Sequence, residues 1–233
     1  MKVPSARKRF FATTSVMLIA AGVACASPRA ADTANLTPSE RAAIVEVTGC
    51  GMAGDTRGSG IGIGEDLVVV PAHLVLQAAV VEVNVLGVPH PATVVVLDRP
   101  KDLALLHVDG VSFGAIEYGA LAAGDRATLI GGSNSGSLPV RVLDRVTLTI
   151  EEALGTDRYD RLGYQLEVEA SRGDSGAGIY DSSDRLVGML FAVQGDTGVG
   201  WATAAEEIAT LLATGRSMYE CDEQDSFIAE SGA

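Results

Sequence analysis

Ser175 lies in Gly173-Asp174-Ser175-Gly176, the segment of this chain best suited to chemistry. A serine hydroxyl is a poor nucleophile near neutral pH. It gains reactivity from an adjacent base, and its attack on a carbonyl leaves an oxyanion that needs hydrogen-bond donors. Glycine on both sides lets the backbone turn sharply and aim N–H groups at one point. The same residue types also suit an ordinary turn. Choosing between the two requires a base and a group that orients it.

The chain has three histidines, so the base can be sought exhaustively. His73 follows Val70-Pro71-Ala72 at the end of a Val-rich run, where a strand end presents a side chain to a cleft. His90 lies between Pro89 and Pro91, as in a surface turn. His107 falls inside an apolar run and shares a face with Leu103 and Leu105 by alternation. A structural role suits His90 and His107 better than His73. For the orienting carboxylate, Asp102 heads Asp102-Leu103-Ala104-Leu105-Leu106, a position that favours partial burial. Asp98, followed by Arg99-Pro100-Lys101, reads as a solvated turn. A simple turn role is the alternative for Asp102.

These groups must be carried by short strands. Apolar runs at residues 44–47, 60–63, 67–70, 80–85, 93–97 and 103–108 alternate with turns containing Gly, Asp, Pro or Asn. Six strands in so short a span predict a closed small barrel. After a Gly/Ala-rich connection at 119–124, a second set is expected at 127–130, 140–150, 164–168, 176–180, 186–193 and 198–203. Two similar barrels in series follow, without visible sequence repetition. From 204 to about 213 the pattern turns helical, with Ile208, Leu211 and Leu212 on one face. Gly at 27 residues and aromatics at 5% favour strands and tight turns over a helical bundle.

The N-terminus has the make-up of a secretory signal. Lys2, Arg7, Lys8 and Arg9 precede a short apolar run at 16–23, and Ala24-Cys25-Ala26 fits a cleavage site. A retained anchor, or lipidation at Cys25, is the alternative. Removal of residues 1–26 takes four basic and no acidic side chains, moving the net charge from −13 to −17. Such a surface repels nucleic acid and offers no basic patch to anionic membrane. Cys50 and Cys221 remain, and two cysteines in an exported protein are expected to pair. With so few histidines they make no plausible zinc site. The expected layout is a signal at 1–26, a linker at 27–42, a folded domain at 43–219 and an acidic tail at 220–233. Within the domain the barrels span about 43–118 and 125–203.

Several segments together resemble the chymotrypsin-like (trypsin-fold) serine peptidases. Gly58-Ser59-Gly60-Ile61-Gly62-Ile63 is similar to the strand before that family's histidine. Ala72-His73, Asp102-Leu103-Ala104-Leu105-Leu106, Gly173-Asp174-Ser175-Gly176 and Leu186-Val187-Gly188 match its motifs in its own order. The resemblance covers about residues 44–213. It is greatest to bacterial exported members, the high-temperature-requirement and acid-resistance proteases; the latter also pair an early with a late cysteine. Neither a PDZ domain nor a multi-span membrane domain is expected here. The resemblance implies an all-β fold of two six-stranded antiparallel barrels with a C-terminal helix. It implies an endopeptidase acting on proteins or peptides without metal or organic cofactor. Ser175 would be the nucleophile, His73 the base, Asp102 its orienter, and the Gly173 and Ser175 amides the oxyanion hole.

Pro71 before Ala-His and Ala177-Gly178 after the tetrad depart from the family pattern, and no zymogen activation site precedes the first strand. Glu169, six residues before Ser175, falls where the family places the base of its first specificity pocket, with Val193 and Gly200 at its flanks. The alternative for Glu169 is an exposed charge beside Glu167. For the whole chain, the rival functions are a peptide-binding module on an inactive scaffold and an esterase using the same groups.

Overall fold

The computed structural model describes residues 36–49, 54–131, 136–152, 156–195 and 197–214. The expected signal, Cys50, Cys221 and the acidic tail lie outside these residues. Within the expected linker, α1 (Pro38–Arg41) starts on a capping box: Glu40 accepts from the Thr37 amide and hydroxyl. The chain is therefore ordered before residue 43, and Arg41 explains why. Its buried guanidinium donates to the carbonyls of Leu36, Gly62, Gly114 and Ala115. A charged side chain is tolerated there because several acceptors surround it.

Six strands follow: β1 (Ala42–Gly49), β2 (Thr56–Ile63), β3 (Leu67–Val70), β4 (Ala78–Val85), β5 (Val88–Asp98) and β6 (Leu103–Val108). All neighbours run antiparallel, in the order β1-β2-β3-β6-β5-β4, and β4 pairs back onto β1 to close a barrel. The second set is β7 (Arg126–Ile130), β8 (Ser137–Glu151), β9 (Arg158–Glu167), β10 (Gly178–Tyr180), β11 (Leu186–Val193) and β12 (Val199–Ala204). These pair antiparallel in a ring of their own, β10-β11-β12-β9-β8-β7. The C-terminal helix α3 (Ala205–Thr214) follows β12 directly.

The continuous apolar runs have a physical reason. β3 and β6 are buried on both faces. Val68, Val70, Ala104, Leu106 and Val108 point into the first barrel. Their neighbours Val69, Leu103 and Leu105 point the other way, against Tyr180, Leu186, Met189, Ile208 and Leu211. A half-buried strand would alternate apolar with polar; a strand between two cores does not. A β-bulge in β5 between Val94 and Val96 lets both serve. Val94 joins the barrel interior and Val96 the layer between the two rings, although two residues apart they would otherwise share a face. The second ring has its own interior around Leu129, Val142, Tyr164, Leu166, Ile179 and Leu190.

Strand positions match the expected ones in most cases, with several differences. β2 and β5 begin at Thr56 and Val88, four and five residues before the expected runs, and His90 therefore lies within a strand rather than in a surface turn. His73 lies not on a strand end but in a one-turn helix, α2 (Ala72–Val75), whose N-cap is Pro71. The missing proline N–H costs nothing at that position, where a helix leaves it unpaired. β10 begins at Gly178 rather than Gly176, because Gly176 and Ala177 still belong to the serine turn. β9 begins at Arg158, six residues earlier than the apolar pattern suggests.

Candidate active site

The turn between β5 and β6 sets the carboxylate. Asp98 Oδ1 accepts from the Lys101 amide at 2.9 Å, as a turn residue does, and the Asp102 amide donates to Arg99 O at 3.1 Å. Asp102 then adopts φ 50°, left-handed backbone that Asp tolerates better than most residues. Its side chain, 11% exposed, is directed at α2. Oδ1 accepts from the His73 backbone amide at 2.8 Å, and Oδ2 lies 2.9 Å from His73 Nδ1. An ionised carboxylate only accepts, so Nδ1 carries the hydrogen and Nε2 keeps its lone pair. That nitrogen lies 3.1 Å from Ser175 Oγ. The three side chains singled out from the sequence are thus brought into one line from three separate segments.

The serine turn is held from both sides. The Ser59 amide donates to Ser175 O at 2.7 Å, and Ser59 Oγ donates to Gly173 O at 3.0 Å. The Gly176 amide donates to Leu190 O at 2.7 Å. Asp174 is fully buried, and its Oδ2 accepts from the Ser171 amide at 2.8 Å. Gly173 and Gly176 have φ 97° and 94°. At Gly176 a Cβ would stand 1.8 Å from Ser59 O, so only glycine fits.

The remaining histidines serve elsewhere. His90 Nδ1 is 3.2 Å from Asp109 O, and His107 Nε2 is 3.0 Å from the Asp66 carboxylate; both are partly exposed. A cavity of about 1080 Å³ is lined by Glu169, Ala170, Val193 and Val199 together with Arg126 and Arg141. Glu169 is exposed. Gly200 is not part of this lining. It is buried, pairs with Val193, and a Cβ there would meet Val168 Cγ1 at 2.7 Å. Among the described residues no group of three His, Cys, Asp or Glu side chains could hold a metal ion.

One residue near the site has no counterpart in the sequence-based expectations. Arg161 of β9 is buried, with its side chain fully shielded. Nη1 donates to Lys101 O and lies 3.8 Å from Asp102 Oδ2. Burial pulls its pKa down to about 10, with Asp102 and Glu207 acting against that fall, so the guanidinium is charged at neutral pH. The sequence around it gives little hint: Arg161 follows Arg158 and precedes an alternating run, Leu162 to Glu169, a pattern that exposed strand residues share.

A mostly antiparallel β-structure with serine, histidine and aspartate aligned between two sheets defines a serine-peptidase type of protein. The chain belongs to the trypsin-like peptidase domain family, whose model matches residues 58–189. It is 29% identical over 163 residues to the serine proteases Rv3671c and MT3772 of Mycobacterium tuberculosis, matching 67% of this chain. The chain spans 41% of the length of these curated relatives. Among solved structures it is similar to the active form of the Rv3671c protease. The TM-score is 0.70 and the identity 25%, over 80% of this chain and 85% of that one. The HtrA-type protease AlgW with tripeptide shares the fold, with TM-score 0.63 and 20% identity over 75% of this chain and 60% of that one.

Proposed function

We propose that this chain is an exported serine endopeptidase that cleaves proteins or peptides through an acyl-enzyme. The observation that carries the proposal is the unbroken line from Asp102 through His73 to Ser175, with links of 2.9 Å and 3.1 Å. Ser175 Oγ attacks the scissile carbonyl carbon while His73 Nε2 takes its proton. The carbonyl electron pair moves to oxygen, where the Gly173 and Ser175 amides are assigned as donors. Collapse breaks the C–N bond, and His73 returns the proton to the leaving amine. Water, deprotonated by His73, then opens the acyl ester and restores Ser175. Asp102 accepts from Nδ1 throughout and stabilises the imidazolium.

The two rings are read as the two β-barrels of this family, with the groups of the site drawn from both. Glu169 and Val193 are assigned to the substrate cleft, on the strength of the cavity that both line; Gly200 is buried against Val168 and outside that lining. Residues 1–26 direct export, 43–219 form the peptidase domain, and Cys50 pairs with Cys221. A fluorophosphonate probe tests the core of this: it labels the wild type at Ser175 and fails on Ser175→Ala. Labelling that survives both Ser175→Ala and His73→Ala would sink the assignment.

A further inference from the structure

Arg161 joins parts of the site that come from different sheets. It starts on β9 of the second ring and ends at the β5–β6 turn of the first. Its Nη1 holds Lys101 O, the carbonyl of the peptide unit immediately before Asp102, and lies 3.8 Å from the Asp102 carboxylate. Its Cζ sits 3.9 Å from the centre of the Phe191 ring, a cation–π distance. Phe191 is at the bulge where the β11–β12 register shifts between Leu190 and Ala192, and its carbonyl is 3.3 Å from Ser175 Oγ. One guanidinium therefore touches the aspartate turn and the strand bulge beside the serine.

As a purely structural residue Arg161 is a poor choice. Its Nε and Nη2 are buried and find no hydrogen-bond acceptor among the described residues. Burying a cation with incomplete hydrogen bonding is unfavourable, and a packed apolar side chain commonly serves stability as well or better. What an apolar residue could not supply is positive charge beside Asp102. Two further charged groups lie close by: Lys101, from the turn of Asp102, and Glu207, from α3, whose charge acts on Arg161. These two pair with each other at 3.2 Å. Nearby Arg99 is engaged by Glu152 at 2.8 Å. Arg161 is left as the cation beside the carboxylate, 3.8 Å from Oδ2, the oxygen that His73 Nδ1 also approaches.

We propose that Arg161 is a positioning residue. It fixes the left-handed Asp102 turn and balances the carboxylate charge, so that His73 stays a free base to lower pH. This rests on the functional reading above only for its effect on turnover; its effect on His73 does not need turnover. The sign follows from Coulomb's law. An uncompensated carboxylate favours the imidazolium, whereas a cation beside that carboxylate disfavours it. Loss of the cation keeps the ring protonated to higher pH, and the base needed for attack forms later.

The test is the pH titration of the His73 ring by NMR, assigned by its loss in His73→Ala, together with the kcat/KM profile. In Arg161→Met the His73 midpoint and the acid limb both move up by about one pH unit. In Arg161→Lys the charge remains, and the midpoint stays near that of the wild type. There kcat falls, because an ammonium lacks the planar face that stacks on the Phe191 ring and holds the arginine in place. Should Arg161→Met not fold by circular dichroism, Arg161→Gln supplies the neutral variant. An unchanged His73 midpoint in a folded neutral variant overturns the proposal. A shifted midpoint in a protein whose wild type takes no fluorophosphonate overturns the peptidase reading and leaves the Arg161 assignment standing.

Discussion

Asp102 combines three demands in one residue: a left-handed backbone at φ 50°, a nearly buried carboxylate, and three short contacts to His73. Asparagine would tolerate the same backbone and nearly the same volume. It would, however, lose the charge that makes Nδ1 the protonated nitrogen. Asp102→Asn should therefore fold normally and lower kcat about 10⁴-fold, as loss of the orienting carboxylate does in triads of this kind. Burst-phase kinetics on an activated ester would measure this. At this scale the sequence was informative where a residue's type limits its possible uses. Three histidines could be weighed one by one, and an aspartate heading an apolar strand has few reasons to be there. Arg161 was not legible. Whether a strand arginine faces solvent or a buried carboxylate depends on which sheet lies above it, and nothing within ten residues encodes that.

The elements act through their irregularities. The serine turn is bound to Ser59 on one side and Leu190 on the other, and Gly176 passes against the Ser59 carbonyl. Gly176→Ala adds a backbone collision to a strained φ, and should cost about 3 kcal/mol of stability by urea unfolding, with loss of activity. The β10–β11 hairpin carries a pH-dependent element. Burial would raise the Asp181 pKa. The bonds it accepts from Arg185 and from the Ser183 amide outweigh this and hold it below the ordinary value. A carboxyl with a depressed folded-state pKa stabilises the fold above its unfolded value, near 4, and that stabilisation is lost as pH falls through the folded value. Melting temperatures from pH 6 to pH 2 should fall less steeply for Asp181→Asn than for the wild type. Apolar runs and turn residues located the strands well. The bulges at Val95 and Phe191 could not be placed, because a bulge is a mismatch between two strands and neither sequence alone contains it.

Across the whole molecule, the site sits where two rings meet. The first ring supplies His73 and Asp102, and Ser175 lies in the turn that enters β10 of the second. The layer between them is apolar, built from Val69, Leu103 and Leu105 against Met189, Ile208 and Leu211. Movement of one ring relative to the other would separate the base from the nucleophile. Arg41 adds a polar tie, joining the N-terminal turn to β2 and to the segment after β6. The proposed Cys50–Cys221 bridge would close a loop of most of the chain and restrict its unfolded state by about 4–5 kcal/mol in the chain-entropy model. A non-reducing peptide map should find the two cysteines linked, and reduction should lower the melting temperature; two free thiols in protein purified under oxidising conditions would refute the pair.

The sequence by itself determined the strand inventory, the order histidine, aspartate, serine, and the glycines that the serine turn needs. Those properties are local: each depends on side-chain period, backbone freedom or residue chemistry within a few positions. Only the tertiary structure decided that His73 rides on a helical turn and that Gly200 is buried against Val168, outside the lining of the cavity. Only it placed a buried arginine beside the aspartate. These depend on which surfaces meet when two sheets close and pack, and contacts between Lys101, Arg161 and Phe191 join segments that are far apart along the chain.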